Sequence, residues 1–262
     1  MDLHRGMVIA LAQRPNEIPA AEWQLRVELA AFYRVVHAFG WSDLIYNHIT
    51  VRVPGDDIAF LINPFGLLYE EVTAANLVKI NAQGEKLAPS EYDVNPAGFV
   101  IHSAIHAARS DAHCIIHTHT KDGMAVAGKA DGLLFDNFYS SGFYGRVSYH
   151  DFQGVTTDDS EKESLIASLG PTNDILILRN HGLLVLGPHV PSVFATIYRL
   201  ERACEIQVHT HSHGGASIPV PLEVLKADPA RRSRMSANQQ RLGEFPFAAA
   251  VRRVVGSFEM VL

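Results

Sequence analysis

Cysteine is scarce in this chain, long apolar runs are missing, and neither sign of charge accumulates in one place. Only 2 cysteines occur in 262 residues, Cys114 and Cys204, each inside an apolar stretch, which excludes a disulfide framework and fits a reducing compartment. The N-terminal apolar run Met7–Ala12 is too short for the core of a signal peptide. No segment approaches the about eighteen continuous apolar residues of a membrane span, so a cytoplasmic protein with no membrane partner is expected. Basic residues never run longer than the pair Arg231–Arg232, and 22 Lys+Arg against 28 Asp+Glu leave a net charge of −6. That balance carries no electrostatic footprint for a nucleic-acid backbone. Internal repeats and low-complexity tracts are absent as well.

What is present is an ordinary globular composition, 47% hydrophobic and 19% charged, long enough to bury a sizeable core. The one oddity is 14 histidines, several of them clustered, which points toward imidazole chemistry.

Apolar residues at Leu25, Leu29, Phe32, Val36 and Phe39 recur at spacings of four and three, predicting an amphipathic helix over Pro19–Phe39 that is capped by Gly40. Ile49–Val53 and Ile58–Ile62 flank the turn Pro54-Gly55-Asp56-Asp57 and read as a hairpin, and Leu77–Asn81 as a further short strand. Pro96 opens a helix that ends near Arg109. Cys114–His119, Ile175–Leu178 and Leu183–Leu186 have β-type composition, while Lys121–Gly128 and Val190–Val208 read as helices. After about His209 a histidine-rich loop and the polar segment Lys226–Arg241 follow. The organisation expected is an N-terminal extension over 1–21, one layered α/β domain over 22–210 and a C-terminal extension over 211–262.

His117 and His119 lie at the end of a strand, where residues i and i+2 share a face, so both rings can reach one ion or simply cap the strand end in water. His181, in Arg179-Asn-His-Gly182, sits between two strands beside a glycine that permits a tight backbone. Together the three would form a three-histidine site with open positions for water or substrate, the arrangement of catalytic metal sites.

The strings Gly40-Trp-Ser-Asp-Leu-Ile-Tyr-Asn-His-Ile-Thr-Val-Arg-Val53, Ile62-Asn-Pro-Phe-Gly-Leu-Leu-Tyr69, Asn95-Pro-Ala-Gly-Phe-Val-Ile-His-Ser-Ala-Ile-His106, His117-Thr-His119 and Arg179-Asn-His-Gly182 occur in an order that resembles the class II aldolase/adducin family. Leu44–Thr50 and Ala97-Gly-Phe99 resemble its adducin-head branch. The resemblance implies a three-layer α/β/α fold around a mostly antiparallel central sheet. It also implies a cyclic homotetramer with sites at subunit interfaces, and a divalent metal held by His117, His119 and His181. Zinc is the first expectation for that metal, with iron, manganese or cobalt as alternatives.

Two departures bear on chemistry. The family's sugar-phosphate aldolases carry a glutamate about nineteen residues before the first metal histidine; here that position is Gly98, which offers no proton and no ligand oxygen. The family's phosphate cradle aligns with Asn47, His48, Asn63, Phe65, Pro96 and Ala97, where phenylalanine and proline bring no side-chain donor and His48 is bulkier than the expected small amide. Read from sequence, these are losses on two independent parts of the site. His102 and His106 follow Gly98 by four and eight residues, and His102 is a candidate substitute base. Tyr144, with Tyr139 nearby, falls where the aldolases supply a tyrosine acid across a subunit boundary, with core packing as the other reading. His209, His211 and His213 read as a solvated loop that can also take up metal adventitiously.

The function expected is a metal-dependent, aldolase-like lyase or related enolate chemistry on a small, non-phosphorylated hydroxy- or oxo-acid. The competing expectation is a non-catalytic module like the adducin heads, which assemble without known catalysis.

Overall fold

The computed structural model describes residues 14–55, 59–154 and 159–254, so the run Met7–Ala12 lies outside the described residues. The N-terminal amphipathic segment forms α1 (Ala20–Ala38), and its apolar stripe is buried at Leu29, Phe32 and Val36. Strands β1 (His48–Val53), β2 (Ala59–Ile62) and β3 (Val78–Asn81) follow as a meander. Helix α2 (Pro96–Ala108) starts where expected, with Pro96 in its first turn and the Asn95 side chain accepting from the Ala97 amide. Next come β4 (Cys114–Thr118), α3 (Lys121–Ala127), β5 (Val147–His150), α4 (Lys162–Leu169), β6 (Ile175–Leu178), β7 (Gly182–Gly187), α5 (Val190–Ser212) and α6 (Leu222–Val254).

The strands make one open seven-stranded sheet in the order β3-β2-β1-β4-β7-β6-β5. Every neighbouring pair is antiparallel except β5 and β6. Alternation along β4 shows how the sheet is covered on both faces. Cys114 and Ile116 join the core shared with α1, α5 and α6, whereas Ile115 packs with Ile101 and Ile105 of α2 and Leu165 and Leu169 of α4. Both cysteines are free and buried, behaving as small apolar side chains.

Several segments differ from the sequence reading. Strand β5 and helix α4 were not anticipated, because Val147-Ser-Tyr-His150 is short and half polar and α4 has only 8 residues. His209 and His211 lie in the last turns of α5 rather than in a loop. The segment after 211 returns as α6, whose Phe247 sets its ring edge-on to Phe32 with centroids 5.9 Å apart and joins Ala250 and Val251 in the main core. Among the described residues, no helix is long and apolar enough to cross a membrane.

The sheet order matters for the site. β4 is flanked by β1 and β7, so His48 pairs with His117 across one ladder and Thr118 with Leu183 across the other. Elements far apart in sequence thereby meet at one end of β4.

Candidate metal centre

His117 and His119 bracket the end of β4, and the strand end is clamped from beneath. Thr118 and Thr120 donate their hydroxyls to the two oxygens of Glu201 on α5, at 2.7 and 2.6 Å. His181 arrives on the turn between β6 and β7. That turn is built by Asn180 in a left-handed conformation (φ 54°) and by Gly182, where a Cβ would collide with the Thr118 carbonyl and crowd the rings of His117 and His119. A side chain at position 182 would therefore push the third imidazole away from the other two.

The three rings converge through their Nε2 atoms. The separations are 2.8 Å for His117 and His119, 3.2 Å for His117 and His181, and 3.1 Å for His119 and His181. Second partners fix the tautomers: His117 donates from Nδ1 to the Leu183 carbonyl at 2.9 Å, and His119 from Nδ1 to Asp43 at 3.2 Å. Neutral rings that spend their proton on Nδ1 face each other with bare Nε2 lone pairs, a repulsive contact unless a cation lies between them. Tetrahedral zinc with Zn–N bonds of about 2.0–2.1 Å holds its ligand nitrogens roughly 3.3 Å apart, close to the spacing here. Burial and the neighbouring imidazoles push His117 well below the usual histidine value, burial lowers His119, and burial with His119 nearby lowers His181 to about 4. All three are neutral near pH 7, as ligation requires. The donor set thus fits a divalent metal. Among the described residues it is the only group of three or more His, Cys, Asp or Glu side chains so arranged.

The chain matches the model of the "Class II Aldolase and Adducin N-terminal domain" over residues 27–208. It belongs to the class II aldolase/adducin family. It is 43% identical to an aldolase II superfamily protein from Pseudomonas syringae, covering 88% of this chain and 96% of that one with a TM-score of 0.79. It is 28% identical to an L-fuculose 1-phosphate aldolase from Glaciozyma antarctica, covering 94% and 95% with a TM-score of 0.72. It is also 46% identical over 239 residues to alpha-adducin of Rattus norvegicus, matching 87% of this chain but only 32% of that longer protein.

Against this family background the position of Gly98 takes on a different meaning. A Cβ there would lie 2.5 Å from the His48 ring. The absent side chain at Gly98 and the bulky His48 ring therefore meet at a single contact. His48 is buried, with its ring centroid 5.1 Å from that of His117. His102, read from sequence as a substitute base, is fully buried, and both its nitrogens are engaged, with His48 at 2.9 Å and the Thr50 hydroxyl at 2.7 Å. The ring that stands beside His117 is that of His48; the only sequence signal for it was its size relative to the family pattern. Asn47 and Asn63 are buried, Asn47 donating to the Trp41 carbonyl at 2.9 Å and Asn63 accepting from the Tyr33 hydroxyl at 3.0 Å. Tyr144 follows a short 3₁₀ turn and sets its ring edge-on against Phe135, while Tyr139 packs on the main core.

The clamp beneath β4 has a measurable consequence. Burial pushes the Glu201 carboxyl up to about 7, the Thr118 and Thr120 hydroxyls only partly opposing it. Between the ordinary value of 4.5 and about 7 the unfolded chain has lost this proton while the folded chain keeps it. The folded state binds more protons there, so its stability falls as pH rises through that window and flattens above it. Glu28, also pushed up to about 7 by burial, adds a similar share. Glu201→Gln should flatten the decline in denaturant midpoint between pH 5 and 7 relative to wild type, leaving the share of Glu28. An unchanged slope would show that Glu201 does not hold its proton.

Proposed function

We propose that this protein is a metal-dependent lyase of the aldolase type, acting on a small, non-phosphorylated hydroxy- or oxo-acid. The observation that carries the reading is the convergence of three Nε2 atoms, those of His117 and His119 left bare by their Nδ1 partners. His117, His119 and His181 would hold the ion, with zinc first among the candidates and iron, manganese or cobalt as alternatives. When bound, a divalent cation supplies Lewis-acid polarisation of a substrate oxygen. Asp43 and the Leu183 carbonyl keep the rings in place, and the open side of a three-ligand site leaves room for substrate.

Support for a non-phosphorylated substrate comes from the side chains aligned with the family's phosphate cradle. Asn47 and Asn63 are buried, Asn47 donating from its amide to the Trp41 carbonyl, and Phe65, Pro96 and Ala97 bring no side-chain donor. On metal-loaded protein we expect turnover of small hydroxy- or oxo-acids that is abolished by chelation. With fuculose-1-phosphate, rhamnulose-1-phosphate or ribulose-5-phosphate we expect turnover below about 1 s⁻¹, the low end of ordinary enzymes. Sugar-phosphate turnover above that level would overturn the substrate class.

The similarity to alpha-adducin favours a second reading, a non-catalytic assembly module that keeps the histidines. It gains if metal-loaded protein turns over none of these substrates. Under either reading we propose a homotetramer in which a tyrosine such as Tyr144 reaches the site of a neighbouring copy. Light scattering at micromolar concentration should give about four times the chain mass, and a monomer would rule this out.

A further inference from the structure

Beside the three converging nitrogens lies a second set of imidazoles whose proton positions follow from a single carbonyl. His106 on α2 meets the Ala112 carbonyl through Nδ1 at 2.8 Å, and a carbonyl only accepts, so Nδ1 carries the hydrogen. In a neutral ring Nε2 is then bare, and the Thr50 hydroxyl at 2.8 Å must donate to it. That spends the hydroxyl proton, so His102, 2.7 Å away, must donate from Nδ1 to the Thr50 oxygen. The bare Nε2 of His102 in turn requires His48, 2.9 Å away, to donate from its own Nδ1. All three rings and Thr50 are buried, and burial holds each ring far below the usual histidine value, so each carries one proton near pH 7. Every hydrogen in the chain points toward Ala112, and the far end is the bare Nε2 of His48. Among the described residues no hydrogen bond reaches that atom. Its ring lies against that of His117, with the centroids 5.1 Å apart.

We infer that His48 Nε2 is a fixed hydrogen-bond acceptor for a hydroxyl of the ligand held at the three histidines, with His102, Thr50 and His106 acting as positioning residues that set its tautomer. The inference rests on the proposed ligand-holding role of those three histidines. Because the chain ends on a carbonyl that has no proton to release, it orients His48 and does not conduct protons to solvent. A bare imidazole nitrogen attracts a hydroxyl and repels a carboxylate or carbonyl oxygen, so the site should select ligands with a hydroxyl beside the group that the trio holds. This selection is encoded at Thr50, which is not one of the converging ligands.

The test is the tautomer itself, read by magic-angle-spinning NMR of protein labelled with ¹³C,¹⁵N-histidine. Wild type should show His48, His102 and His106 all protonated at Nδ1; His48 protonated at Nε2 would overturn the inference without any variant. In Thr50→Val, His102 loses its acceptor and should move its proton to Nε2, which forces His48 to accept at Nδ1 and to carry its own proton on Nε2. Thr50→Ser should restore the wild-type pattern. If Thr50→Val folds and His48 stays protonated at Nδ1, the chain does not set its tautomer and the inference fails. The ligand arm uses glycolate and acetate on zinc-loaded protein, followed by calorimetry. Thr50→Val should weaken glycolate about fivefold or more and leave acetate unchanged, and equal effects on both would refute the acceptor role. Failure of wild type to bind either probe would count against the trio as a ligand-holding site, and with it the acceptor role, while the tautomers separately decide the polarity of the chain.

Discussion

His181→Ala is expected to remove stoichiometric metal from the purified protein, with a loss of affinity greater than about 100-fold. Changing only an outer partner of a ligand usually costs about 10–100-fold, and here a ligand itself is lost. The remaining pair, His117 and His119, would keep their tautomers, because the Leu183 carbonyl and Asp43 are untouched. They would offer two nitrogens 2.8 Å apart instead of three. Elemental analysis of protein purified without chelators measures this directly. A wild type without metal, or a variant that retains its full complement, would refute the assignment. Asp43→Asn is the graded companion: it removes the charge behind His119 while leaving all three rings, and a partial loss of affinity is the expected result.

Gly98→Ala is expected to destabilise the protein, although the substitution is normally favourable in a helix. Alanine at a helical glycine gains about 0.5–1 kcal/mol, while overpacking a filled core costs about 1–3 kcal/mol. The second effect wins here because the new Cβ would lie 2.5 Å from a ring that cannot retreat. His48 is held by His102 at 2.9 Å on one side and lies against His117 on the other. In a His48→Asn background the clash disappears and the same change should become neutral or stabilising, a coupling of at least about 1 kcal/mol in a double-mutant cycle. Denaturant unfolding of the four proteins measures it, and a Gly98→Ala single variant as stable as wild type would refute the packing argument. Restoring a carboxylate as Gly98→Glu therefore makes physical sense only together with a smaller residue at position 48.

Much of this architecture was legible before any coordinates. The stripe Leu29, Phe32 and Val36 reads as a helix face, since spacings of three and four place those side chains on one side; the structure buries Ala30, Ala31, Tyr33 and Val35 between them as well. Pro96 after Asn95 marked a helix start for a similarly local reason, as proline lacks the amide that the first turn leaves unused and asparagine caps it. His117 and His119 share a strand face because the period of a strand is two. Less legible were β5 and α4, whose four and eight residues are too few for periodicity to rise above composition, and the C-terminal segment, where polarity suggested an extension although Phe247, Ala250 and Val251 reach the core.

By itself, then, the sequence determined the helices with a strong stripe, the strand pair of histidines, the glycine-flanked third imidazole and the family. All of these are local patterns, set within a few residues by backbone geometry and side-chain type. Only the tertiary structure decided that His181 meets His117 and His119, because that depends on β7 pairing with β4 across more than sixty intervening residues. It also decided that His48, and not His102, stands beside His117, since the strand ladder pairs His48 with His117 and the volume left by Gly98 receives its ring. And it decided the direction of every proton from His48 to Ala112, which no residue in that chain determines alone.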